Sequence, residues 1–109
     1  MRLILTFILA TLITSCSLIN QKALTLHVGM GKAEVSKIMG PPNRRSFNGT
    51  TEAWQYADFT SKDQCSYITA WFKEENLAAL TSRQETRLKD CSKGIQDIDW
   101  TQIPMGIDK

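Results

Sequence analysis

A side chain that does chemistry needs a neighbour to activate it, and few residues here could form such a pair. The chain holds one histidine, His27, three cysteines, Cys16, Cys65 and Cys91, and eleven acidic residues. Nucleophilic catalysis asks for a nucleophile, a base and a third group that orients the base. His27 stands just before Val28-Gly29 with no acid beside it to suggest a dyad, and reads as a structural or surface residue. Two carboxylates could support glycoside hydrolysis. However, Asp58 and Asp63 flank a loop, and Glu74-Glu75 falls in a turn, so solvated turns explain both pairs. Gly29 and Gly31 read as helix-entry residues and not as a phosphate-cradling loop. Two distant cysteines and one histidine cannot supply the four ligands of a structural zinc site. The expectation is a chain with no catalytic residues, no metal and no cofactor.

The remaining reactive residue is Cys16, and its setting is informative. Arg2 gives a short positive start. Leu3 to Ile13 is then an apolar run interrupted only by Thr6, Ala10 and Thr11. It is shorter than the roughly 20 residues a helix needs to span a bilayer, and it fits the apolar region of a secretory signal. It closes in Ile13-Thr14-Ser15-Cys16. An aliphatic residue, two small residues and a cysteine resemble the lipobox of bacterial lipoproteins. The resemblance implies that residues 1–15 are removed and that Cys16 receives a diacylglycerol on sulfur and an acyl chain on its new amine; residues 16–25, short and mixed polar and apolar, read as a lipidated tether leading into a turn of helix. Ser17 stands where an aspartate would retain a lipoprotein in the inner membrane. The sorting rule therefore implies the periplasmic face of the outer membrane. Several acyl chains, at about 0.8 kcal/mol per buried methylene, would anchor the chain durably.

What is left is one small domain. Of thirteen Lys and Arg, Arg2 leaves with the signal, so twelve face eleven Asp and Glu. With no basic run, nucleic-acid binding is disfavoured. A domain this small buries a limited core and often needs a covalent staple. Once Cys16 is lipidated, Cys65 and Cys91 remain, and export places them where disulfides persist. Paired, they would contribute roughly 3–4 kcal/mol in the chain-entropy model. Two free buried thiols are the alternative.

The elements are legible in part. Lys32 to Met39 reads as a short helix. Gly31 is the N-cap, Glu34 sits near the positive end of the dipole, and Met30 and Val35 form a hydrophobic staple. Val35, Ile38 and Met39 share a face, and Gly40 with Pro41-Pro42 ends the helix. Asn48-Gly49 predicts a hairpin turn joining a short segment near Arg45 to Phe47 with a strand Thr51 to Phe59. In that strand Trp54 and Tyr56 share a face. Gln64 to Lys73 is the clearest strand, with Cys65, Tyr67, Thr69 and Trp71 on one face and Ile68, Ala70 and Phe72 on the other. Lys73 to Asn76 is a polar turn, and Leu77 to Gln84 returns as the third strand. The polar region after Glu85, with Ile95, Ile98, Trp100 and Ile103, is expected to pack back through Cys91, partly as loop. The expected fold is α+β: one or two short N-terminal helices on a three-stranded antiparallel meander, disulfide-stapled, with exposed aromatics on the other sheet face.

In order, Val28-Gly29-Met30, Glu34-Val35, Met39-Gly40 with Pro42, Trp54-Gln55-Tyr56, Thr69-Ala70-Trp71-Phe72 and Asn76-Leu77 resemble the signature of the SmpA/OmlA (BamE-like) outer-membrane lipoprotein family. The resemblance runs from about Leu26 to Gln84, within a domain taken as residues 26–109 with its C-terminal tail. It implies two short helices on a three-stranded sheet, a fold related to β-lactamase-inhibitor-protein-like domains. It also implies a non-catalytic scaffold role in β-barrel outer-membrane protein assembly and envelope integrity. The implied partners are the β-barrel assembly machine and an anionic phospholipid. Gly31 stands where the family has Thr or Ser. The Cys65–Cys91 pair and the tail through Trp100 lie outside the family core.

Two sets of residues are candidates for contact. Trp54, Tyr56, Tyr67 and Trp71 could form an aromatic stripe that anchors a protein partner, or they could be core. Arg44 and Arg45 could meet lipid phosphates, or they could be solvated loop. Fold does not fix function, so a second class stays open: a periplasmic inhibitor or sensor lipoprotein that binds a soluble enzyme or an envelope polymer.

Overall fold

The computed structural model describes residues 18–104, apart from 62 and 88. The expected signal peptide and Cys16 lie outside the described residues. Among those residues, no helix is long and apolar enough to cross a membrane.

Among the described residues, two helices precede a meander of four antiparallel strands. These are α1 (Leu18–Ala23), α2 (Lys32–Met39), β1 (Arg44–Asn48), β2 (Thr51–Ser61), β3 (Gln64–Lys73) and β4 (Asn76–Thr86), with sheet order β1-β2-β3-β4. Two 3₁₀ turns follow, Cys91–Gly94 and Trp100–Gln102. The fold is α+β as expected, but the sheet has four strands where three were expected. The extra strand is β1, paired with β2 from Arg44↔Gln55 to Asn48↔Thr51. It is an edge strand, largely exposed, so no alternation of apolar residues announces it.

α2 spans the predicted residues. Gly31 is extended and caps without a side chain. Val35 and Met39 are buried, and Gly40 adopts φ 82°, ψ −172° while donating its N–H to Ser36 O. That conformation is essentially reserved for glycine. Met30 and Val35 are buried in one cluster, as the staple predicts. Residues 18–23, assigned to the tether, are α1, and Ile19 packs into the core at 8% exposure. The β1–β2 loop falls on Gly49-Thr50, one residue later than expected, with Gly49 at φ 68°.

The period of two along each strand divides the side chains between two layers. On one face Trp54, Tyr56, Ile68, Ala70, Phe72 and Leu77 meet Ile19, Met30, Val35 and Met39 from the helical side. On the other, Ala53 and Trp71 meet Ile98, Trp100 and Ile103. Cys65 and Tyr67 meet Cys91 and Ile95 there. The C-terminal segment is thus a strap across the second face. The exposed aromatics expected on that face are covered. Trp71 is 6% exposed and packs edge-on to Trp100 at 6.1 Å between ring centroids.

Candidate functional site

The predicted disulfide is present. Cys65 on β3 and Cys91 at the start of the strap are bonded with Cα atoms 5.6 Å apart. Among the described residues no group of three or more His, Cys, Asp and Glu is placed to hold a metal ion. His27 is exposed, and so are Asp58, Asp63, Glu74 and Glu75.

The four candidate aromatics do not form a surface stripe; they take the other reading and are core. Trp54 and Tyr56 face the helices, while Tyr67 and Trp71 face the strap. All four are buried, between 4% and 6% exposed. Alternation within each strand is as read. The stripe fails because β2 and β3 pair with Trp54 opposite Ala70 and Trp71 opposite Ala53, which puts the two pairs of rings on opposite faces. The polar ends are satisfied internally. Tyr56 Oη donates to Gly40 O (2.9 Å), Tyr67 Oη to Cys91 O (2.9 Å) and Trp71 Nε1 to Thr81 Oγ1 (2.9 Å). Burial pushes the Tyr56 hydroxyl up to about 12, against a smaller downward pull from Arg45.

Arg44 and Arg45 belong to a strand and not a loop, so they point to opposite faces. Each meets a carboxylate. Arg44 Nη1 lies 2.7 Å from Asp97 Oδ1 on the strap, and Arg45 Nη2 lies 2.7 Å from Glu52 Oε2.

Glu52 is the residue that sequence reasoning missed. It sits on the helix face of β2, in phase with Trp54 and Tyr56, and is 3% exposed. Three elements converge on its carboxylate. Lys32 Nζ, from the first turn of α2, reaches Oε1 at 2.7 Å. Arg45 Nε and Trp54 Nε1 each donate to Oε2 at 2.8 Å. The two cations also cover rings, Lys32 at 5.8 Å from the Phe72 centroid and Arg45 at 5.2 Å from that of Trp54. Burial pushes the Glu52 carboxyl up, but hydrogen bonds from Lys32, Trp54 and Arg45 pull it down further, and it ends below its ordinary value. A carboxylate so enclosed is held as an anion and its oxygens are occupied. It ties α2 to the β1–β2 hairpin and does not present a base to solvent. The signal was present: an acid two residues before Trp54, on the face the tryptophan buries.

The strap roofs a cleft of about 340 Å³ whose lining includes Gln55, Thr69, Thr81, Arg83, Asp97 and Asp99. Its ionic groups are paired. Arg83 stacks at 4.1 Å over Tyr67, donates to Gly94 O and meets Glu85. Asp99 accepts from Thr101 N and Oγ1, which holds its carboxyl below its ordinary value. Gln55 Nε2 donates to Gln96 O at 2.8 Å, while Gln55 Oε1 is buried without a partner. Such an orphan acceptor costs on the order of 1–3 kcal/mol.

No protein-family model matches this chain, and no curated protein matches it. Its function is therefore inferred from its own residues and their geometry.

Proposed function

We propose that this chain is an outer-membrane lipoprotein, acylated on Cys16 and facing the periplasm, that acts as a non-catalytic scaffold in envelope or β-barrel outer-membrane protein assembly. The observation that carries the reading is the apolar run closing in Ile13-Thr14-Ser15-Cys16. The ordered resemblance from Val28-Gly29-Met30 to Asn76-Leu77 supports the assembly role. The Cys65–Cys91 disulfide accords with an oxidising compartment. Because Trp54, Tyr56, Tyr67 and Trp71 are enclosed, partner contact passes to the large apolar side chains that remain exposed, foremost Leu24, Val28 and Phe47. Arg44 and Arg45 already hold Asp97 and Glu52, so phospholipid competes with those carboxylates for them.

A second reading, a periplasmic inhibitor or sensor that binds a soluble enzyme or an envelope polymer, draws on the strap and its polar cleft. The strap lies beyond the stretch that carries the family resemblance, and it closes the cleft against sheet residues that belong to that stretch. Crosslinking of the tagged, lipidated protein in detergent-solubilised outer membranes, read by mass spectrometry, separates the two. Recovery of β-barrel assembly subunits is the expected result. Recovery of a single soluble periplasmic enzyme would replace the scaffold reading with the second. For the anchor itself, Cys16→Ala should abolish the acyl mass and release the protein from membranes. A wild type with no acyl mass would refute the lipoprotein reading.

A further inference from the structure

We infer that the β2–β3-turn end of the domain rests directly on the bilayer, so that the sheet stands on end above the membrane with the β1–β2 and β3–β4 turns pointing away. The inference rests on the proposed acylation of Cys16 and adds an orientation to it. Cys16 and Leu18 are two residues apart, so their Cα atoms are at most about 7 Å from one another. Leu18 is already the first residue of α1. α1 is fixed to the domain, because Ile19 is buried in the core and Asn20 Oδ1 accepts from Ser66 Oγ at 2.9 Å. Only Ser17 separates the acylated residue from the fold.

The pairing of the strands says which end this is. Ser66 stands opposite Asp58, a short step from Ser61↔Gln64, the last pair before the β2–β3 turn. The chain leaving α1 ends at the other extreme, where Gly29 N donates to Leu77 O at 2.8 Å beside the β3–β4 turn. α1 therefore starts at the β2–β3-turn end and runs away from it. β2 spans eleven residues, which at about 3.3 Å each places the far turns roughly 35 Å above the near one.

The surface presented to lipid suits a bilayer of no particular charge. Phe59, 39% exposed, lies next to the turn. The Cys65–Cys91 bond brings residues 89–93 to the same end. Exposed Lys22, Lys89 and Lys93 are offset there by exposed Asp58, Asp63 and Asp90. Arg44 and Arg45 pair with Gln55 and Trp54, near the middle of β2 and roughly 20 Å above the near turn, beyond the reach of headgroups. Phe47, 63% exposed, is likewise lifted into the aqueous compartment, where it can meet protein.

The test uses the lipidated, ¹⁵N-labelled protein in nanodiscs whose headgroups carry a gadolinium chelate. Amide signals should be lost at residues 58–60, 64–66 and 89–93 and retained at 47–51 and 74–77. The pattern should be the same in discs of phosphatidylcholine alone and in discs containing phosphatidylglycerol. Loss spread evenly, or concentrated at 47–51, in protein shown by mass spectrometry to be acylated would overturn the orientation while sparing the lipoprotein reading. Absence of the acyl mass would remove both. A ten-residue Gly-Ser insertion between Ser17 and Leu18 gives a tether of roughly 17 Å and should erase the pattern with acylation intact. If the pattern survives the insertion, the short tether does not set the orientation.

Discussion

On the helix side of the sheet, Val35 and Phe72 are fully enclosed within one continuous apolar cluster. On the strap side, Ala53 and Trp71 are covered by Ile98, Trp100 and Ile103, which are themselves only partly buried. The first cover consists of regular elements whose backbone groups pair among themselves. The second is mostly irregular chain. It is held by one disulfide and by single bonds such as Gln55 to Gln96 O, Tyr67 to Cys91 O and Arg83 to Gly94 O. The helix side is therefore stabilised collectively by burial, and the strap side by a few replaceable contacts. Lesions on the two sides should differ in kind as well as size.

The largest effect is expected at the centre of the helix side. Phe72 is fully buried and lies 4.6 Å from the Trp54 centroid. Phe72→Ala should cost about 3–5 kcal/mol, measured as a lowered midpoint in urea. Both faces should unfold in the same transition, because the sheet itself is lost. If the strap kept its own transition at the wild-type midpoint, the sheet would not be the common support.

Removing the disulfide comes next. Cys65 and Cys91 are 26 residues apart, which corresponds to about 3.5 kcal/mol of denatured-state entropy. The Cys65→Ser, Cys91→Ser double variant should lose hydrogen-exchange protection first at residues 91–103. The β2–β3 amides should keep theirs until global unfolding. Uniform loss along the chain would mean that strap and sheet are one cooperative unit.

A smaller, more local lesion is Gly94→Ala. A Cβ at Gly94 would overlap the Tyr67 hydroxyl and come within 3.0 Å of Arg87 Nε. Overpacking of this kind costs about 1–3 kcal/mol. The variant should displace the first 3₁₀ turn, seen as amide shifts confined to residues 90–96. Adding Tyr67→Phe, which removes the hydroxyl, should recover part of the loss. No recovery would place the cost elsewhere in the strap.

The same contrast explains what could be read from the sequence. α2 was legible to the residue because its staple, dipole charge and Gly40-Pro41-Pro42 stop all act within a few positions. β3 is legible because aromatic, β-branched and other apolar residues fill it, buried on both faces, up to the polar turn that begins at Lys73. β1 was half legible. Asn48-Gly49 announced a turn, but Arg44 to Asn48 has only Phe47 as an apolar marker, and its identity as a strand comes from β2. The strap's return was foreseen from Cys91 and its isoleucines, but its path depends on side-chain bonds to the sheet at long sequence range. Stripe and core stay open for the four aromatics in the sequence, because alternation gives the faces within a strand, and only the pairing of β2 with β3 relates one strand's faces to the next. Glu52 went unread for a similar reason: its partners, Lys32 and Arg45, come from other elements.

That carboxylate qualifies the comparison, since it puts a charge into the otherwise apolar helix side. Burial opposes its ionisation and three hydrogen bonds favour it. The net effect is a difference of larger opposing contributions, and should be smaller than that of losing Phe72, the disulfide or the space at Gly94. Its folded pKa is lowered from the ordinary 4.5. A group of that kind stabilises the fold fully above its unfolded pKa, and the contribution is lost as pH falls through the lower folded value. Carboxyl-detected NMR should therefore give Glu52 a midpoint below 4.5. The urea midpoint of the wild type should fall on acidification more than that of Glu52→Gln. A midpoint at or above the ordinary value would mean that desolvation has outweighed Lys32, Arg45 and Trp54 together. Glu52 would then be a cost the helix side carries to tie α2 to the β1–β2 hairpin, and its removal with apolar replacements at Lys32 and Arg45 should raise stability.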